Sequence, residues 1–297
     1  MSNKKQKFSF TFIIIFLLLF IGCKTTNTLG SNFVETEDHY IFGNDISFSD
    51  DIGEDYKYIF FRLYNPEYSN PLYIANILKG GLAITNTDDV PELSHSAISF
   101  TLDDNFYGLT FGGKYQLAPE ACERPKDNKY MRNCDPTKSE QITYALKVTP
   151  EEYENTKEFV EKYAEDTKLK YASLINVKLA LFFIKQKFFV SKKYQAFGSR
   201  KYPKSVKNKK INIDNDKREY NFVCSSFLGY ALYNNVESVA NYFDENNIKY
   251  EYLNVTDLAL IPGMVPLFYS NWADYTETAK AFVEKYPEFK EYLTNTP

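Results

Sequence analysis

Between Ser94 and Phe111 the chain reads as a β-hairpin, and this pattern restricts the fold more than any other in the sequence. From Ser94 to Leu102 residues alternate, with His95, Ala97, Ser99 and Thr101 on one face and Ile98, Phe100 and Leu102 on the other. Asp103-Asp104-Asn105 is a turn, and Tyr107, Leu109 and Phe111 repeat the apolar face on the returning strand. Gly108, Thr110 and Gly112 then share the face of His95, which reads as the wetter, less crowded side. A sheet with antiparallel pairing is therefore expected. Lys57 to Tyr64 and Gln141 to Val148 are two more β-rich runs, and Pro71 to Leu78, closed by Gly80-Gly81, is a short helix candidate.

Helical signals follow the strands. Thr149-Pro150-Glu151-Glu152 places Thr at an N-cap, Pro in the first turn and Glu at the third position, a capping box. Tyr153, Phe159, Val160 and Tyr163 form the stripe that this helix buries. Strands and helices in this order predict an α+β domain over residues 56–297.

The N-terminus belongs to export rather than to the fold. Lys4, Lys5 and Lys7 precede an apolar run from Phe8 to Ile21 broken only by Ser9 and Thr11, shorter than the ~20 residues of a membrane span. It ends at Phe20-Ile21-Gly22-Cys23, which resembles a bacterial lipobox, with Phe20 where Leu is usual. Residues 1–22 are expected to be a lipoprotein signal peptide, Cys23 the lipidated residue, and the protein an exported lipoprotein anchored in the cell envelope. Removing 1–22 takes away three lysines and no acid, so the formal charge of −4 becomes −7. With a pI near 5.5, nucleic acid is not an expected partner. Residues 23–55, polar and without sustained apolar period, read as a tether ending in short structure packed on the domain.

Only four cysteines and two histidines are available for chemistry. Cys122 and Cys134 lie twelve residues apart in a loop-like stretch; lacking a second pair at metal spacing, in an exported chain they read as a disulfide. No metal or cofactor is expected. His39 falls in the tether and reads as a surface residue. Tyr220 to Val223 is a short approach strand, followed by a helix that begins at Cys224, has Val223, Phe227, Tyr230 and Ala231 as its stripe, and ends at Asn234-Asn235. A thiol at a helix N-terminus sits at the positive end of the dipole, which favours the thiolate nucleophile, and the adjacent backbone N–H groups suit an oxyanion.

Leu174 to Val190 is strongly apolar but carries Lys178, Lys185 and Lys187, so it reads as a core or interfacial helix and not a span. From Lys185 to Lys210 there are ten basic residues and no acidic one. Such a run is a solvated, mobile loop or, alternatively, a contact for an anionic surface.

The order Ser94-His95-Ser96-Ala97-Ile98-Ser99, a short strand from Tyr107, a capped helix, then Cys224-Ser225-Ser226-Phe227 resembles the circularly permuted NlpC/P60, papain-like bacterial enzymes of the YaeF/YiiX type. Tyr107 to Gly112, Tyr144 to Tyr153 and Val255-Thr256-Asp257-Leu258 resemble further segments of that family, over about Tyr58 to Tyr275. The resemblance implies a permuted papain-like fold, an antiparallel sheet packed on the Cys-bearing helix with a helical insertion. It implies Cys224 as nucleophile and His95 as general base. The nearest candidate for the orienting residue is Thr110, which a turn at Asp103-Asp104 would pair with Ala97, diagonal to His95. The implied activity is a cysteine hydrolase, an amidase, peptidase or esterase, acting on a cell-wall peptide or a lipid. An acyltransferase and a catalytically silent envelope-binding module are the alternatives.

Overall fold

The computed structural model describes residues 31–49, 52–64, 93, 95–110, 115–120, 136–137, 139–171, 178–179, 181–183, 185, 200–210 and 220–294. Residues 1–30, with Cys23, lie outside them, as do Cys122, Cys134 and the helix candidate at 71–78.

An eight-stranded antiparallel sheet organises the chain. Its strands are β1 (Phe33–Glu35), β2 (Ile41–Gly43), β3 (Lys57–Tyr64), β4 (His95–Ser99), β5 (Tyr107–Leu109), β6 (Leu117–Pro119), β7 (Glu140–Val148) and β10 (Met264–Asn271). Their spatial order is β1-β2-β10-β7-β3-β4-β5-β6. The helices are α1 (Pro150–Ala164), α2 (Cys224–Asn235), α3 (Glu237–Glu245), α4 (Val255–Leu258) and α5 (Tyr275–Lys285). A small parallel pair, β8 (Leu169–Tyr171) with β9 (Tyr220–Phe222), brings the end of α1 beside the entry to α2. The expected α+β class and large antiparallel sheet are present.

β3 and β7 lie in the middle of the sheet, paired along their length from Lys57↔Val148 to Tyr64↔Gln141, and successive residues of each are buried, so both faces are covered. Strands buried on both faces read as continuous apolar runs, and KYIFFRLY is one. Arg62 within it is fully buried, its guanidinium 4.2 Å from the Phe106 ring, 4.4 Å from Trp272 and 4.6 Å from Tyr275, and ion-paired to Asp104. Aromatic faces and one carboxylate replace the water that the cation loses.

The α1 cap forms as its sequence predicts: Glu152 N–H donates to Thr149 Oγ1 at 3.2 Å, and Thr149 N–H to Glu152 Oε2 at 3.0 Å. The other Glu152 oxygen accepts from Glu237 N–H at 2.8 Å, so one carboxylate serves the N-termini of α1 and α3.

Three expectations need correction. The chain enters the sheet earlier than residue 56: β1 and β2 come from the stretch read as a tether, held by buried Phe42, which meets Phe282 of α5 edge-on at 5.5 Å. The face of His95 is not the wet one, because every residue of β4 is buried. Third, α2 buries every residue from Cys224 to Tyr233, where a single stripe was expected, and so behaves as an interior helix. Its end is as read: the Asn234 and Asn235 side chains donate to the Tyr230 and Ala231 carbonyls at 2.6 and 2.9 Å.

Candidate functional site

His95 opens β4 opposite Tyr64, the last residue of β3. The strand alternation puts Phe60, Arg62 and Tyr64 on the face that holds Ser99, Ala97 and His95. On the other side of β4, Ala97 pairs with Gly108, and Gly108 in turn with Ala118 of β6. Glu120, two residues beyond Ala118 and just past the end of β6, reaches back across this face. His95 Nε2 donates to Glu120 Oε1 at 2.7 Å, and the Tyr64 hydroxyl donates to Glu120 Oε2, also at 2.7 Å. The Tyr64 ring stands edge-on to the imidazole, 5.0 Å between centroids, and edge-on to Trp272 at 5.3 Å.

Gly108 is the slot that admits the carboxylate. A Cβ there would stand 1.9 Å from Glu120 Oε1 and 2.7 Å from its Cγ. Because the obstacle is the end of a flexible side chain, Gly108→Ala is expected to leave the sheet paired and push Glu120 off the imidazole. The titration of His95 should then move down from about 10, with circular dichroism near wild type. An unchanged titration would mean that Glu120 does not act on His95.

Thr110 was the expected orienting residue; the group found at Nε2 is instead the Glu120 carboxylate. The expected register, Ala97 opposite Thr110, is off by two residues, since Gly108 occupies that place. The C-terminal segment sets the register. Leu102 N–H donates to the Tyr292 carbonyl at 2.7 Å, and Thr294 N–H donates to Asp103 at 3.2 Å, so the loop between β4 and β5 is clamped around Leu102-Asp103 and not around Asp103-Asp104. Thr110 itself is buried, its N–H donating to the Gln116 carbonyl at 2.8 Å.

Cys224 is the first residue of α2, as its sequence predicts, and is reduced and buried. The two serines after it are structural: Ser225 Oγ donates to the Leu253 carbonyl at 2.7 Å, while Ser226 Oγ accepts from Val223 N–H at 2.9 Å and donates to the Val223 carbonyl at 3.0 Å. They fix the entry angle of the helix and hence the sulfur. The Cys224 side chain lies close enough to the His95 ring to act on its pKa. With Nε2 taken by Glu120, Nδ1 is the nitrogen left for it.

Burial by itself pushes the His95 ring toward its neutral form. The Glu120 carboxylate and Cys224, each close enough to act by both charge and hydrogen bond, outweigh that and raise its pKa from 6.5 to about 10. The ring is therefore an imidazolium at neutral pH, between the Glu120 carboxylate and the Cys224 sulfur at the start of α2. A raised pKa means that this pair stabilises the fold fully below pH 6.5 and loses that contribution as pH rises through about 10.

The arrangement Glu120–His95–Cys224 has the parts of an acyl-transfer site: a nucleophile, an acid–base group and an orienting carboxylate. His39 is apart from it, exposed and paired with Glu35 at 2.9 Å. Among the described residues no group of three His, Cys, Asp or Glu is placed to hold a metal ion. Sequence reading missed Glu120, whose one signal was Gly108, an empty place on the face of His95. Comparison with protein-family models, with curated proteins and with solved structures gave no match in any of the three.

Proposed function

We propose that the protein is a cysteine hydrolase of the cell envelope, cleaving an amide or ester through an acyl-enzyme on Cys224, in a permuted papain-like fold. The observation that carries this reading is the Glu120–His95 hydrogen bond, on a ring that also feels Cys224 at the start of a buried helix. The order of His before Cys, and a sheet packed against the Cys-bearing helix, support the fold assignment.

The thiolate attacks a carbonyl carbon. The oxyanion that forms is met by the backbone N–H groups at the positive end of α2. The His95 imidazolium gives its proton to the departing amine or alcohol, leaving a thioester on Cys224. Neutral His95 then takes a proton from water as its oxygen attacks the thioester. The acid is released, and thiolate and imidazolium are restored.

A second reading, acyl transfer to an amine or hydroxyl, is favoured by the burial of both reacting groups, with Cys224 2% and His95 5% exposed. A dry site protects a thioester from water until another acceptor arrives. The anchor is part of the proposal: Cys23 carries lipid and holds the enzyme at a membrane beside a peptide or lipid substrate, without a cofactor.

Mixing the protein with p-nitrophenyl acyl esters tests the reading. A burst of p-nitrophenolate equal to the protein present, with an acyl adduct on the Cys224 peptide after acid quench, is expected, and neither in Cys224→Ala. Faster turnover on adding an amine would select the transferase. A folded protein that gives no burst and no adduct would leave the binding module as the better account.

A further inference from the structure

The basic run was read first as a mobile loop, and over residues 200–210 the structure gives it a different character. Arg200 is buried and bonds Asp257 of α4 through two nitrogens, at 2.5 and 2.7 Å, with its guanidinium 5.0 Å from the Phe183 ring. Tyr202 stacks on Phe182, centroids 5.6 Å apart, and Val206 packs on the same cluster. The Asn208 side chain donates to the Ile248 carbonyl at 2.6 Å and accepts from Tyr250 N–H at 3.3 Å. The lysines between and just after these anchors, Lys201, Lys204, Lys207, Lys209 and Lys210, are exposed.

The neighbouring helical residues at 178–179, 181–183 and 185 have the same two-sided character. Leu179, Phe182 and Phe183 are buried with Val223 and Tyr252, a second apolar cluster that reaches the residue before Cys224. Lys178, Leu181 and Lys185, spaced three and four apart and therefore on one helix face, are exposed. Leu181 is 61% exposed, the most exposed large apolar side chain among the described residues. Both elements thus bury aromatic groups in one cluster and leave lysines exposed, Lys178 Nζ lying 5.3 Å from the Tyr252 ring at its edge, in a chain whose net charge is negative.

We infer that this face, Lys178, Leu181 and Lys185 with the lysines of 201–210, docks on an anionic lipid bilayer. Exposed ammonium groups and an exposed leucine, on two segments anchored in one apolar cluster, match an interface of anionic headgroups over acyl chains. The chain also carries its own means of arriving there: only residues 24–32 separate Cys23 from β1, a reach of about 30 Å at full extension, so a lipid-bearing Cys23 keeps the domain at the bilayer surface. The inference does not depend on the enzymatic reading, although Val223 ties the docked face to the nucleophile helix.

Lysine footprinting of the full-length chain tests it. The protein is bound to vesicles of phosphatidylcholine alone or with about one-third phosphatidylglycerol, treated with a membrane-impermeant amine reagent, and read by peptide mass, with Lys280 of α5 as internal reference. The five lysines of 201–210 should react about threefold or more slowly on the anionic vesicles, and this protection should vanish at high salt and in Leu181→Asp. Equal reaction on both vesicles would overturn the inference. So would equally strong protection by soluble polyphosphate without vesicles, which would identify an anionic polymer as the partner.

Discussion

Glu120→Ala is expected to reduce the rate of acyl-ester reaction by about 10² to 10⁴-fold while leaving a folded protein, an effect second only to loss of Cys224 or His95. The carboxylate does two jobs that no neighbour can take over. It fixes the imidazole by accepting from Nε2 at 2.7 Å, and its charge outweighs part of the burial that would otherwise keep the ring neutral. Glu120→Gln separates the two jobs, since an amide oxygen still accepts the hydrogen bond but brings no charge. It should fall between wild type and Glu120→Ala. Tyr64→Phe removes only the second bond to Glu120, at 2.7 Å, and should cost less than either. If Glu120→Ala reacts as fast as wild type, the carboxylate is structural and Thr110 regains its place as the candidate orienting group.

The second large effect is on stability. Asp257→Ala is expected to lower it by about 3–5 kcal/mol, because Arg200, 1% exposed in its side chain, would keep a buried charge with no counter-charge. For a chain of this size that is a fall of roughly 10 °C in melting temperature. Part of the loss comes from Asn254, whose N–H donates to Asp257 Oδ2 at 2.7 Å at the start of α4. The double variant Arg200→Met, Asp257→Asn removes both charges and keeps an acceptor for Asn254. It should be more stable than either single charge deletion, as measured by denaturant midpoints. If the double loses as much as the sum of the singles, the ion pair is not what holds 200–210 to α4.

The contrast between what was legible and what was not follows from the range of each signal. The α1 cap, the start of α2 at Cys224 and the strands β3 and β7 were readable because each is encoded in a few adjacent residues. The hairpin was readable in parity but not in register. A slip of two residues returns every side chain to its own face, so parity does not choose between Gly108 and Thr110 opposite Ala97, whereas the slot for Glu120 and the contacts of the distant Tyr292 and Thr294 do. Glu120 was hidden for a related reason, since β6 has three residues and shows no period. Arg200 and Asp257 meet across 57 residues of sequence, a separation at which a run of positive charge reads as solvated.

The central claim is that His95 and Cys224 form one charged pair, and the chain's two histidines make it open to direct measurement by NMR titration of the imidazole carbons. The His95 signal, identified by its loss in His95→Ala, should remain that of an imidazolium through neutral pH and change only near pH 10. In Cys224→Ala the transition should move down, because the sulfur is one of the groups that raises it. A His95 transition at the ordinary imidazole value of about 6.5, unchanged by Cys224→Ala, would contradict the pairing and with it the proposed chemistry.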